Sequence, residues 1–167
     1  MKNSKFKLSI LALLFAFGSQ AQVIRSQTEK WENDLDGNNL STPNEAGTDL
    51  ESTLETVASF NLIDVAGISP TTGWKITVAK EDISWNGLLI PSIQRTGIGN
   101  KCGSCSGVNV GTSTTGYTVI TDAEQDFIFG EGNVSDIPLQ YKIDGISLAI
   151  PAARYQTVIV FTLYGDP

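Results

Sequence analysis

The chain has 167 residues, 17% of them charged and none of them histidine, and a formal net charge of −7. That length suits one domain with its own core. The missing imidazole excludes Ser-His-Asp and Cys-His nucleophilic catalysis, and the acidic balance argues against nucleic acid and anionic membrane as partners.

In chain order, the first 21 residues read as a secretory signal peptide. Lys2, Lys5 and Lys7 give a positive start, Leu8 to Phe17 is a short apolar run, and Ser19 and Ala21 are small residues at the cleavage-determining positions. The apolar run is too short to cross a bilayer, and no later segment is long and apolar enough for a transmembrane helix. Cleavage after Ala21 removes three lysines and deepens the net charge from −7 to −10. The predicted location is exported: periplasm, cell surface or medium.

Residues 22–51 read as a short, polar, acidic and irregular N-terminal arm, rich in turn formers. Within it, Asp34-Leu-Asp36-Gly-Asn-Asn39 alternates oxygen-bearing side chains before and after a glycine, as a calcium loop does. Pro43 stands where a helical calcium loop needs its glutamate, so an Asx-rich turn is the simpler reading of Asp34 and Asp36.

Residues 52–167 read as a β domain. Strands are predicted at Thr53–Ile63, Gly73–Ala79, Gly87–Gln94, Val108–Val110, Tyr117–Thr121, Asp126–Phe129, Ile137–Ile143, Ile146–Ile150 and Tyr155–Leu163. Asp144-Gly145 predicts a hairpin between two of them. The final run has period two, with Tyr155, Thr157, Ile159, Phe161 and Leu163 on one face and Gln156, Val158, Val160, Thr162 and Tyr164 on the other. No segment carries a sustained helical period with caps, and 16 glycines punctuate the chain. The fold class expected is all-β, an antiparallel β-sandwich.

Cys102-Gly-Ser-Cys105 lies in a stretch rich in Gly, Ser, Thr and Asn. Two cysteines in an exported chain usually pair, and here they would close a very small loop as a local clip. A redox pair would need a helix N-terminus, which the flanks do not suggest, and a zinc site would need about four ligands where only two cysteines exist. No cofactor is expected.

Carboxylates are plentiful, but no spacing among Glu51, Glu55, Asp64, Asp82, Asp122, Glu124 and Asp126 singles out an acid–base pair. Among the tryptophans, Trp74 alternates with Ile76 and Val78 and should face the core. Trp85, next to the Asn86-Gly87 turn, and Trp31, in the arm, are candidates for a carbohydrate platform or for staples.

Three segments carry a family resemblance: Gly73-Trp-Lys-Ile-Thr-Val78, Leu88-Leu-Ile-Pro-Ser-Ile93, and Tyr155 through Pro167. They resemble the WxL domain of bacterial cell-surface proteins, which has one Trp-x-Leu signature in a mid-chain strand and another in its last strand. Trp74-Lys-Ile76 stands at the first, with Ile for Leu, and Phe161-Thr-Leu163 at the second, with Phe for Trp. The resemblance implies an exported β-sandwich that attaches non-covalently to peptidoglycan and joins other surface proteins. The expected function is therefore non-catalytic attachment or assembly at the cell envelope, with wall or surface polysaccharide or other surface proteins as partners. Trp74, Ile76, Trp85, Phe161 and Leu163 are the binding candidates, and all are core candidates too. Two other functions fit the same residues: a fimbrial or filament subunit that exchanges its long terminal strand, and a lectin-like module using Trp31 and Trp85.

Overall fold

A computed structural model describes residues 6–9, 22–28, 30–33, 52–101 and 116–165. Those residues form twelve strands and no helix. They are β1 (Phe6–Ser9), β2 (Val23–Ser26), β3 (Lys30–Asn33), β4 (Thr53–Glu55), β5 (Asn61–Ala66), β6 (Gly73–Ser84), β7 (Ile90–Arg95), β8 (Asn100–Lys101), β9 (Thr118–Val119), β10 (Gln125–Glu131), β11 (Val134–Asp144) and β12 (Gln156–Gly165).

The fold is an all-β antiparallel sandwich, as the period-two patterning predicts. One sheet has seven strands, with order β2-β5-β11-β7-β9 and with β4 and β8 also paired to β11. The facing sheet has three strands in the order β10-β6-β12. A separate ribbon pairs β1 with β3. Strand β11 is long enough to take partners end to end on both sides: β5 then β4 on one, β8 then β7 on the other. It is bulged between Val134 and Ile137. Asp136 sits in that bulge with φ 54°, and its N–H donates to Asp64 Oδ1 at 2.8 Å.

The core lies between the sheets. Ile63, Val65, Ile93, Ile137, Leu139, Tyr141 and Ile143 fill it from one side, and Trp74, Ile76, Val78, Ile128, Ile159 and Phe161 from the other. One polar network is buried in it. The Asn61 side chain, fully buried, donates from Nδ2 to the Tyr141 hydroxyl at 2.9 Å. Its Oδ1 accepts from Ser26 Oγ at 2.9 Å and from the Thr28 N–H at 3.1 Å. Burial raises the Tyr141 phenol above its ordinary pKa, so it stays a neutral hydroxyl. This network ties the N-terminal segment to β5 and β11.

Three features differ from the sequence reading. Two strands, β2 and β3, lie within the stretch read as an irregular arm, and β2 completes the edge of the large sheet against β5. The Thr53–Ile63 run is two strands parted by a turn at residues 56–60. Asp144-Gly145 is not a hairpin. Gly145 does adopt positive φ (85°), but Ile146–Ile150 forms no strand. The turn instead buries Ile146, whose N–H donates to Ser52 O at 3.1 Å, and sends the chain across to the other sheet. A turn dipeptide fixes local backbone sign, but it does not choose the next strand's partner.

Candidate functional site: the outer face of the three-stranded sheet

The residues proposed from sequence go mostly into the core. Trp74, Ile76 and Phe161 are buried, and Leu163 packs against the same cluster half-buried. Trp74 donates from Nε1 to Gly132 O at 2.7 Å, so its one polar atom is satisfied inside. The segments that resemble the WxL signatures are neighbouring strands, with Leu163 opposite Ile76 and Phe161 opposite Val78. Trp85 is half-buried on the core and donates to Leu89 O at 2.8 Å. Trp31 is buried, its ring centre 6.3 Å from that of Phe60, which removes it as a surface platform. Asp34, Asp36, Cys102, Cys105 and the Val108–Val110 strand lie outside the described residues.

The opposite face of the same strands presents a different set. In a strand, neighbours point to opposite sides, so burying Trp74 and Ile76 turns Lys75 outward. On β12, Phe161 and Leu163 face in, and Thr162 and Tyr164 face out. On β10 a bulge between Asp126 and Ile128 breaks the alternation. It sends both Phe127 and Ile128 into the core and leaves Asp126 and Phe129 together outside.

The register then aligns one row across all three strands. Phe129 lies opposite Lys75, and Lys75 opposite Tyr164. Each ring is 42% exposed. The row borders a shallow cleft of about 280 Å³ lined by Trp74, Lys75, Phe129, Tyr164 and Gly165. The Lys75 Nζ pairs with Asp126 Oδ1 at 2.7 Å and stands 5.7 Å from the centre of the Tyr164 ring. Glu124 Oε1 accepts from the Tyr164 hydroxyl at 2.8 Å and from Thr77 Oγ1. These bonds tie the Tyr164 hydroxyl across β6 to the residue that precedes β10.

The electrostatics follow from the pairing. The Thr77 hydroxyl first, and then that of Tyr164, hold the Glu124 carboxyl below its ordinary range. The bond to Glu124 raises the Tyr164 phenol, and the bond to Asp126 raises the Lys75 ammonium. Both donors favour Glu124 as a carboxylate. Nearby Asp122 pairs with Lys80 at 2.7 Å, so Asp122, Glu124 and Asp126 each answer to a different partner.

Sequence reasoning passed over Lys75, Glu124, Phe129 and Tyr164 as a set. The alternation that places Trp74 and Phe161 inside already places Lys75 and Tyr164 outside. The bulge at Phe127, which brings in Phe129, has no sequence signal. The chain matches no protein-family model and no curated protein.

Proposed function

We propose that this protein is a non-catalytic, exported domain that attaches to or assembles on the cell envelope, and that the outer face of β10-β6-β12 is its binding face. The observation that carries the reading is the row Phe129–Lys75–Tyr164, two half-exposed rings held in register on either side of a paired lysine. Exposed aromatic surface is costly to keep in water, and hydrogen bonds to a carboxylate keep Tyr164 in place there. The adjacency of the two WxL-like segments supports carrying over that family's role, non-covalent attachment at the cell surface. The test is a pull-down on purified peptidoglycan and on envelope polysaccharide with the wild type and with Phe129→Ala/Tyr164→Ala. Retention of the wild type and loss of the folded double variant is the expected result. Equal retention of both would place the binding elsewhere.

A second reading has its own observation. Among the described residues, strand β12, ten residues long, hydrogen-bonds within its sheet to β6 alone and lies at the sheet's edge, with β1 close by. A filament subunit would add a neighbour's strand there. Sedimentation of the exported protein separates the two readings, because the filament reading requires concentration-dependent assembly.

A further inference from the structure

We propose that the ligand of this face is an uncharged polysaccharide in extended form, lying across the three strands with one sugar on Phe129 and the next but one on Tyr164. The inference rests on the reading that this face is the binding face, and it names the chemistry bound there.

Phe129 and Tyr164 occupy the outer two of three adjacent strands, in one register row with Lys75 between them. Two interstrand steps separate the backbone positions of the two residues by about 10 Å, the spacing between a sugar and the next but one in an extended chain. The middle sugar then falls over Lys75 and its partner Asp126.

The order of chemistry along the row points the same way. A protein–protein interface has an apolar centre and a polar rim. Here the pattern is inverted, with a charged pair at the centre and rings at the ends. A sugar chain matches that pattern, because its ring faces present C–H groups to aromatic faces while hydroxyls line its edges. The central groups are suited to hydroxyls. An ammonium has three donors and a carboxylate about four acceptor sites, so the 2.7 Å Lys75–Asp126 bond uses only a fraction of either.

Lys75 is offset by Asp126, and Glu124 adds a further negative charge beside Tyr164. The three groups sum to −1, which repels phosphate-bearing and uronic-acid polymers and leaves uncharged sugars.

The experiment is calorimetric titration of the intact exported protein with β-1,4-linked oligomers of glucose, xylose, mannose and N-acetylglucosamine, one to six units long, with oligogalacturonate as the anionic comparison. At least one uncharged series should bind, with a rise of tenfold or more from disaccharide to trisaccharide and little gain beyond four units. Phe129→Ala and Tyr164→Ala should each lower affinity tenfold or more, and Tyr164→Phe should retain most of it because the ring remains. Circular dichroism melts confirm that each variant is folded. Tighter binding of oligogalacturonate, or affinity independent of length, would overturn the proposal. Failure of every uncharged series while the protein still binds purified envelope material would sink this inference and leave the attachment reading standing. Failure of both would sink both.

Discussion

Gly130 lies opposite Trp74 across β10 and β6, and a side chain at Gly130 would run into the Trp74 indole. The glycine is therefore a packing requirement of the tryptophan. Gly130→Ala should destabilise the domain by about 1–3 kcal/mol through overpacking. Denaturant unfolding of the variant checks this, and pairing it with Trp74→Phe, which makes room, should recover part of the loss.

Trp74 and Phe161 are core residues of the same small sheet, and neither is on its outer face. Trp74→Ala or Phe161→Ala should each cost about 3–5 kcal/mol, a large share of a domain's stability. Binding lost in these variants should track the unfolded fraction. A folded Trp74→Ala protein that had lost binding alone would make the indole a contact residue and contradict the placement.

The Asn61–Tyr141 bond is the buried polar link between β5 and β11. Tyr141→Phe leaves the Asn61 amide short of an acceptor inside the core. The expected cost is about 1–3 kcal/mol, from desolvation of an unpaired donor. The double variant Asn61→Ala/Tyr141→Phe should lose less than the sum of the two single losses, as a mutant cycle by chemical denaturation would reveal.

Glu124 gives a pH dependence with a defined sign. Its folded pKa lies below the ordinary 4.5, chiefly because of the Thr77 hydroxyl. A depressed carboxylate contributes stability that is fully present above that ordinary value and is lost as pH falls through the lower, folded pKa. Thr77→Val should move the Glu124 titration back up toward 4.5 and shrink the share of stability that is lost in acid. Carboxyl-detected NMR titration of both proteins measures the change. An unmoved titration would show that the Thr77 bond does not hold the carboxylate.

Much of this architecture is legible from residue order, and the reasons are local. The alternation of Trp74, Ile76 and Val78, and that of Thr157, Ile159, Phe161 and Leu163, marks two strands and their inner faces at once. What alternation does not carry is partnership. Ile146–Ile150 has strand-forming residues but lies in the passage between sheets, where burial of Ile146 outweighs propensity. Val23–Ser26 looks unremarkable among polar neighbours, and its strand state comes from pairing with β5. The proposed binding face is half legible. Lys75 and Tyr164 follow from their buried neighbours, whereas Phe129 joins them only through the bulge that turns both Phe127 and Ile128 inward.

We propose that the outer face of β10-β6-β12 is where this domain meets the envelope. An amide and side-chain NMR titration of the protein with solubilised envelope polysaccharide tests this face residue by residue. Shift changes should be concentrated at Lys75, Thr77, Phe129 and Tyr164, and should be absent at Lys142 of β11 and at Tyr117, whose ring centre lies 4.7 Å from the Lys142 Nζ. Changes centred on Tyr117 and Lys142, with Phe129 and Tyr164 silent, would contradict it.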